Sequence, residues 1–215
     1  MLKRIVYNDR ESWLAGRGKS IGASEAAAAI GMSPFESPYE LWARKTGRVP
    51  AKDLSGNSAV ERGNRIEPAM RTMFQAEHPE FELDYHQFDV LYQNERPWMT
   101  ATLDGELIDV EDGTKGILEI KTANVGRKSQ WEKWHDAIPI GYLAQVLHQL
   151  LVTGWDFVIL YAKLIKLNGD SELRTYRFDA ADRKEDMQWL LEQEKAFWEN
   201  HILADVPPAV KLGVL

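Results

Sequence analysis

The sequence predicts an α/β domain in which helices cover a mixed β-sheet. Three observations support this fold class: helical patterns at both ends of the chain, three strand-like runs in its middle, and a further helix between these runs and a final pair of strands. The chain has 215 residues, 44% of them hydrophobic, so it can bury a core. This length is typical of one domain. We expect a single domain over residues 1–215, with an N-terminal helical segment of about 1–56 packed on the core.

The composition excludes several classes of protein. There is no cysteine, which rules out a disulfide framework and thiolate metal sites and fits a reducing compartment. The N-terminus lacks the apolar run of a signal peptide, and no stretch of about 18 apolar residues predicts a membrane span. We therefore expect a cytoplasmic protein. The formal net charge of −7 argues mildly against nucleic-acid binding, although a local basic patch can be hidden in the sum.

Two short helices are predicted in the N-terminal part. Residues 23–31 read ASEAAAAIG, with Ser24 as the N-cap and Gly31 as the stop. Residues 37–47 read SPYELWARKTG, with a capping serine and a proline at the start and a glycine at the end. The residues that precede the first helix, from position 8 onward, are polar and rich in glycine.

A long amphipathic helix is predicted after a loop at residues 52–57. From Ser58 to about Glu77, apolar residues recur at helical spacing. Pro68 lies inside this stretch and cannot donate a backbone hydrogen bond, so we expect a kink or a break there.

Three strand-like runs follow, at residues 83–92, 98–110 and 116–123. Asp-Gly pairs at 104–105 and 112–113 supply the turn chemistry of β-hairpins, which predicts an antiparallel meander. The rest of the chain predicts a helix, two strands and a C-terminal helix, at residues 140–154, 156–167, 173–180 and 182–203. An Asn-Gly pair joins these two strands. Trp189 and Trp198 on the last helix are expected to be core or subunit contacts.

The third run, GILEIKTAN at residues 116–124, carries an acid and a base in an apolar strand. Side chains of a strand alternate between its faces, so Leu118 and Ile120 share one face while Glu119 and Lys121 share the other. A solvated face with a weak ion pair explains this pattern as well as a functional site does. The strand alone leaves both interpretations open.

A second carboxylate points to the functional interpretation. Asp104 is expected at the end of the preceding strand, so Asp104, Glu119 and Lys121 form the pattern D…ExK. Two carboxylates this close repel each other unless a divalent cation lies between them, and Mg²⁺ prefers such oxygen ligands. A bound metal generates a hydroxide-like nucleophile, and a nearby ammonium offsets charge in the transition state. The residue types suit metal-dependent phosphodiester hydrolysis. The bare pattern is common by chance, and Asp104 alone could be a turn residue.

Further motifs in a fixed order carry a resemblance to a known family. They read GRGKSIGASEAAAAIGMSPFESPYELW, ERGNRIEPAMR, MTATLDG, LEIKT and YLAQVLHQL. In these motifs and in their order the chain resembles the PD-(D/E)XK nuclease superfamily, and within it the lambda-exonuclease-like, YqaJ-type phage recombination exonucleases. The resemblance extends from about Arg17 to Tyr161 and implies the restriction-endonuclease-like α/β core of that superfamily.

The resemblance also implies a metal centre. Asp104, Glu119 and the backbone carbonyl of Ile120 would hold the first of two Mg²⁺ ions, with Mn²⁺ as a substitute. Lys121 would position the attacking water. Glu67, the acid of the ERGNRIEPAMR motif, would bind metal through water or order Lys121. Gln145, on the predicted helix at 140–154, would support the site.

For DNA, the resemblance implies recognition of duplex ends. Arg17 and Ser24 match the positions that bind a DNA phosphate in the family, and Val60 matches an apolar wedge near the separating strands. Members are typically homotrimeric rings that digest one strand from its 5′ end and leave a 3′ overhang for a single-strand annealing partner, in phage or prophage recombination inside a bacterial cell. A ring needs positive charge only in its channel. The candidate channel residues are Arg44, Lys45, Arg48, Arg62 and Arg65.

Several other motifs are explained without a function. His135 and His148 have no second histidine at metal-ligand spacing, so we expect core or surface roles for them. Gly18-Lys19-Ser20 resembles the end of a P-loop, but Trp13 stands where the first glycine belongs and no strand precedes it. Besides the exonuclease, a metal-dependent endonuclease or repair nuclease of the same fold and a catalytically inactive DNA-binding module remain as alternatives.

Overall fold

The computed structural model describes residues 1–50 and 56–210. Within these ranges the helices are α1 (Arg10–Arg17), α2 (Ala26–Ala29), α3 (Pro38–Lys45), α4 (Ser58–Glu77), α5 (Lys128–Glu132), α6 (Ile140–Thr153) and α7 (Lys184–Phe197). The strands are β1 (Leu2–Val6), β2 (Ile21–Gly22), β3 (Phe81–Asp84), β4 (Asp89–Gln93), β5 (Arg96–Ala101), β6 (Gly105–Asp109), β7 (Lys115–Asn124), β8 (Phe157–Ile165) and β9 (Ser171–Asp179). A π-helical turn at Trp198–Leu203 continues α7.

These strands form two sheets, with the orders β1-β4-β5-β2 and β3-β6-β7-β8-β9. In the larger sheet β7 and β8 run parallel over their lengths, because α6 carries the chain back between them, as parallel neighbours require. Its other neighbouring strands pair antiparallel. The larger sheet is therefore mixed, as the order of elements predicts.

Helices cover both faces of the larger sheet and so place the charged residues of β7. Leu118 and Ile120 pack against α4 in one core cluster, whereas Ile117 belongs to the cluster that contains the buried residues of α6. Because strand side chains alternate, Glu119 and Lys121 lie on the α6 face. That face of β7 is covered by protein rather than by bulk water.

The N-terminal helices pack against the C-terminal helix in a third core cluster. Leu41 and Trp42 of α3 are buried there with Phe197 of α7. The Trp42 indole N–H also donates to the carbonyl of His201 at 3.1 Å. These contacts join α3 of the N-terminal helical segment to the C-terminal helix. The organisation of residues 1–215 as one domain stays a prediction.

The position of Asp104 differs from the prediction. The run at 98–110 is two strands: β5 belongs to the smaller sheet and β6 to the larger one. Asp104 lies where the chain passes between the sheets, so Asp104-Gly105 is not a hairpin turn. Gly105 is the first residue of β6 and packs closely against β7. A Cβ atom at this position would lie only 3.2 Å from the Cβ of Leu118. Buried and partly exposed residues continue to alternate through this connecting segment, and the sequence pattern therefore resembles that of a single strand.

The run at 83–92 is likewise divided, into β3 and β4 of different sheets. Strand β1 and helix α1 are not predicted by the sequence pattern at all. Asp9 caps α1, since its side chain accepts the N–H of Ser12 at 2.8 Å. The predicted hairpin turns at 112–113 and 168–169 are confirmed, with φ of +74° at Gly113 and +89° at Gly169.

Two local predictions for the helices are corrected. Helix α4 runs through Pro68 without a break; Asn64 and Pro68 are both exposed, so water can reach the carbonyl that loses its donor. Ser24 is not an N-cap, because it lies inside a 3₁₀ turn at Ala23–Glu25 that precedes the four-residue α2. The cap of α3 is confirmed, since Ser37 Oγ accepts the N–H of Glu40 at 3.2 Å.

Most of the predicted loop at 52–57 lies outside the described residues. Among the helices of the described ranges, none combines the length and the apolar character that crossing a membrane requires.

Candidate active site

Strand β7 places Glu119 and Lys121 at the centre of the candidate site. Lys121 Nζ lies 2.6 Å from Glu119 Oε1, and the Glu119 side chain is only 3% exposed while that of Lys121 is 20% exposed. A weak ion pair on a solvated face would leave both groups in water. The burial of Glu119 therefore excludes the simple interpretation that the sequence left open.

Two glutamines of helix α6 donate hydrogen bonds to the Glu119 carboxylate. Gln145 Nε2 donates to Glu119 Oε1, and Gln149 Nε2 donates to Glu119 Oε2, each at 2.6 Å. Residues four apart share one face of a helix, so both amides reach the same acid. The supporting position predicted for Gln145 agrees with this geometry. Gln149 was missed, although its spacing from Gln145 is the signal that could have revealed it.

Asp104 lies near Glu119, in the segment that connects β5 of the smaller sheet to β6 of the larger sheet. Its Oδ2 accepts the N–H of Ile120 at 2.7 Å, which fixes the carboxylate beside β7. Burial raises the pKa of Asp104 well above its usual range, and the charges of Glu119 and Glu67 raise it further. The three acids are thus near enough to repel one another.

This repulsion predicts a stability effect of Asp104→Asn in EDTA. A carboxyl group whose folded-state pKa is raised stabilises the fold below its ordinary pKa and loses this contribution as pH rises through the folded-state pKa. We expect the variant to melt above wild type at about pH 8, by about 2–4 °C for each kcal/mol of relieved repulsion. The gain in melting temperature should disappear at about pH 3. Differential scanning calorimetry at the two pH values checks this, and an equal difference at both would contradict it.

Glu67 reaches the site from α4. Its Oε1 accepts a hydrogen bond from Arg71 Nη2 at 2.6 Å. Burial raises the pKa of Glu67, Arg71 opposes this, and the charge of Glu119 adds to it. The sequence prediction of a helix-borne acid near the D…ExK set agrees with this position. Nothing in the pattern indicated that Arg71 would join it.

Lys121 is held as a charged ammonium. Burial lowers its pKa, but the carboxylates of Glu119 and Asp104 more than offset this, so the pKa of Lys121 lies above its ordinary value. Its Nζ also lies 5.3 Å from the ring centroid of Tyr142 on α6, which is within cation–π distance. The ammonium therefore has a fixed place beside the acids.

Arg17 and Ser24 lie together next to the site. Arg17 Nη2 is 3.4 Å from Ser24 Oγ, and the guanidinium lies 4.5 Å above the Trp13 ring. Burial lowers the pKa of Arg17, while the charges of Glu25 and Glu119 oppose this. The N–H of Gly22 is already taken by Glu25 Oε2 at 2.8 Å. Any anion at this place would therefore meet Arg17 and Ser24 rather than a free helix start.

Comparison with known families gives these residues a context. The model of the YqaJ-like viral recombinase domain matches residues 12–156, which is more than half of the chain. The chain belongs to this family. The matched part of the YqaJ-like domain contains the whole candidate site from Arg17 to Gln149. It ends before α7, which begins at Lys184.

The protein YqaJ of Bacillus subtilis (strain 168) is 29% identical over 201 residues, which cover 94% of this chain and 59% of that protein. The chain thus spans about three fifths of the length of this curated relative.

Solved structures show the fold of the YqaJ-like domain. The alkaline exonuclease LHK-Exo of Laribacter hongkongensis superposes with a TM-score of 0.65 at 18% identity, over 91% of this chain and 94% of that chain. A phage-related exonuclease of Haemophilus somnus 129PT gives a TM-score of 0.50 at 13% identity, over 87% and 96%. At these identities the likeness concerns the fold. It confirms the predicted α/β class, with a mixed sheet flanked by helices.

Two of the predicted channel residues of the YqaJ-like domain are engaged elsewhere. Arg44 bridges Glu25 and Glu36, each at 2.7 Å. Lys45, whose side chain is 2% exposed, lies 2.7 Å from Glu25 and also donates to the carbonyl of Ser20. These contacts compensate the two positive charges inside the protein, so the geometry does not favour a place for them on a DNA channel.

The other predicted DNA-contacting residues lie nearer the surface. Arg48 pairs with Asp205 at 2.7 Å and stacks on Trp42. Arg62 Nη1 donates to Asn124 Oδ1 at 3.3 Å, at the end of β7. Arg65 is exposed and Val60 is half-buried on α4. Their contact with DNA stays a prediction.

His148 is buried behind the site, as a core histidine should be. Its Nδ1 lies 2.8 Å from Glu194 Oε2 of α7, and its Nε2 lies 3.1 Å from the carbonyl of Thr100. His135 pairs with Asp136 on the surface. These partners agree with the expectation of a core role for His148 and a surface role for His135.

Proposed function

We propose that this YqaJ-like domain is a metal-dependent DNA exonuclease that degrades one strand of duplex DNA from its 5′ end. The observation that carries the proposal is the buried Glu119, held by two glutamines and beside Lys121, with the carboxylates of Asp104 and Glu67 close by. Such a set of charges is costly to assemble for stability alone. The resulting 3′ overhangs would serve recombination by a single-strand annealing partner in phage or prophage DNA.

The side chains fit a divalent metal in their chemistry. They offer carboxylate oxygens that repel one another, and a hard cation would relieve this repulsion. Among the described residues, no three acidic, cysteine or histidine side chains are already arranged as a metal site. Asp104, Glu119 and the Ile120 carbonyl are the proposed ligands, with Glu67 in reach through water. We propose Mg²⁺, in two ions, with Mn²⁺ as a substitute.

The protein's own groups would perform defined tasks. When bound, the metal would supply a nucleophilic water near neutral pH and stabilise charge on the phosphate. Lys121 would hold this water through an N–H and offset negative charge as the phosphodiester is attacked. Gln145 and Gln149 would keep Glu119 in one orientation, which preserves the geometry between turnovers.

A ring-shaped homotrimer would reconcile this function with the acidic chain. The formal net charge of −7 opposes binding to DNA over the whole surface. An enclosing ring needs positive charge only where the duplex passes, and Arg62 and Arg65 of α4 are proposed for that lining. Sedimentation of the purified chain tests the trimer separately from the activity.

End-labelled linear duplexes, incubated with Mg²⁺, test the proposed function. We expect release of nucleotides from 5′-phosphorylated ends and none from covalently closed circles, because an enclosing enzyme needs an end. Cleavage of closed circles would favour an endonuclease on the same fold. Binding without any cleavage would favour an inactive DNA-binding module.

Arg17→Ala should remove the preference for 5′-phosphorylated ends. A guanidinium with a nearby hydroxyl, as Arg17 and Ser24 provide, suits a terminal phosphate. We expect wild type to start about 10-fold faster on 5′-phosphate than on 5′-hydroxyl ends, since a charge-assisted contact contributes about 1.5–3 kcal/mol. The variant should show no such difference and shorter runs in the presence of trap DNA.

The matched control is Lys19→Ala, which removes an exposed positive charge two residues away. It should keep the wild-type ratio of the two rates. If Arg17→Ala also keeps this ratio and the wild-type run length, Arg17 does not anchor the terminal phosphate, even if the acids still support cleavage.

A further inference from the structure

Arg71 makes contacts with three separate parts of the candidate site. Its Nη2 donates to Glu67 Oε1 at 2.6 Å, and its Nε donates to the backbone carbonyl of Asp104 at 2.7 Å. Its Cζ lies 3.5 Å above the ring of Tyr85. The side chain is 12% exposed. One guanidinium therefore joins α4, the crossing that carries Asp104 and the segment after β3.

This arrangement exceeds what an ordinary helix ion pair provides. A pair four residues apart, such as Arg71 with Glu67, contributes little to stability when it is exposed. The hydrogen bond to the Asp104 carbonyl instead spans 33 residues of sequence. It is also directed at the backbone of an acid whose carboxylate must lie beside Glu119. The contact therefore fixes the position of the Asp104 backbone rather than stabilising helix α4.

We propose that Arg71 is a positioning residue that sets the distance between Glu67 and Asp104 and so prepares these acids to share a divalent cation. The inference rests on the proposed function and names a residue that this function did not include. The planar fork of arginine can serve a carboxylate and a carbonyl at once, and its face can stack on an aromatic ring. A lysine at this position has all its donors on one nitrogen atom and no planar face, so it cannot reproduce the fork and the stacking together.

Tyr85 completes the arrangement by limiting the motion of the guanidinium. The ring covers one face of Arg71, so the two donating N–H groups stay in the plane that contains their acceptors. Among the described residues, the Tyr85 side chain forms no hydrogen bond with Glu67 or Asp104. Tyr85→Leu should therefore reproduce the effect of an Arg71 variant in a weaker form.

The test compares Arg71→Lys with wild type in two measurements. Calorimetric titration with Mn²⁺, without DNA, should show about 10-fold weaker binding, because one charge-assisted hydrogen bond that positions the acids is lost. A Mg²⁺ titration of cleavage should shift its midpoint by a similar factor and lower kcat, while KM for DNA stays within twofold. The variant keeps the positive charge and the helix propensity, so thermal unfolding should remain cooperative.

A matched control is Arg177→Lys, because Arg177 has the same kind of partners far from the site. Its Nε bonds Asp179 at 2.9 Å and its Cζ lies 4.0 Å above the Phe157 ring. This variant should change neither the Mn²⁺ affinity nor the Mg²⁺ midpoint. A double variant Glu67→Gln with Arg71→Lys should lose little more than Glu67→Gln alone, because Arg71 acts in part through Glu67.

Each outcome decides the inference. Mn²⁺ affinity and Mg²⁺ midpoint within twofold of wild type in Arg71→Lys would overturn it, and so would a lower melting temperature with both values unchanged. If wild type binds Mn²⁺ but cleaves no DNA, the nuclease function fails while the Mn²⁺ titration still judges Arg71. A wild-type chain that binds no Mn²⁺ overturns both.

Discussion

Asp104→Asn and Glu119→Gln are each expected to lower cleavage of linear duplex DNA by at least about 10³-fold, with no rescue at high Mg²⁺. Each variant keeps the shape of the side chain but removes one negative charge of the proposed metal site. Metal stabilisation of transition-state charge is worth several kcal/mol, and each loss of about 1.4 kcal/mol is tenfold in rate. Initial rates on 5′-labelled duplex, measured over a range of Mg²⁺ concentrations, check this expectation.

Glu106→Gln provides the matched control for these two variants. Glu106 lies on β6, two residues after Asp104, and its carboxylate accepts a hydrogen bond from Arg4 at 2.6 Å. Its rate should stay within about threefold of wild type, provided that the variant is folded. Replacing Mg²⁺ with Ca²⁺ should preserve DNA binding without turnover, because the looser coordination of Ca²⁺ does not align the attacking water. Efficient hydrolysis by Asp104→Asn would refute the metal site.

Lys121→Ala should retain DNA binding and lose at least about 10² in cleavage rate. The ammonium lies 2.6 Å from Glu119 and acts mainly on charge that develops as the phosphodiester is attacked. Removal of one such donor costs on the order of 3 kcal/mol. Single-turnover rates and DNA affinity, measured on the same preparation, separate the chemical step from binding.

The control for Lys121→Ala is Lys163→Ala on β8. Lys163 pairs in register with Thr122, so it lies one strand away and on the opposite face of the sheet. It should cleave at a rate close to that of wild type. If Lys121→Ala cleaves within threefold of wild type, the role assigned to this lysine is wrong.

Short-range rules explain the parts of the site that could be predicted. The alternation of β7 assigns Glu119 and Lys121 to one face. The supporting role of Gln145 was implied only by the family resemblance. Helix α6 itself is recognisable from its apolar run and its terminal glycine, which has a φ of +69°. These inferences need only the spacing of residues within one element. Together with the order of the elements they predict the fold class.

The same rules fail where the chain changes sheets. The runs at 83–92 and 98–110 keep their alternation while they pass from one sheet to the other. Strand periodicity records which side chains are buried, not which neighbour buries them. The sequence therefore predicted a hairpin turn at Asp104. In the structure this residue lies in the segment that joins the two sheets, and its carboxylate accepts the N–H of Ile120.

By itself, the sequence determined the α/β class and the D…ExK pattern, whereas the supporting role of Gln145 was implied by the resemblance to the nuclease family. Only the tertiary structure decided that Glu119 is buried, that Gln149 and Arg71 join the site, and that Glu25 engages Arg44 and Lys45. The physical reason is the range of the interactions. Periodicity and caps act within a few residues, whereas burial and charge pairing depend on which distant segments meet when the sheets and helices close.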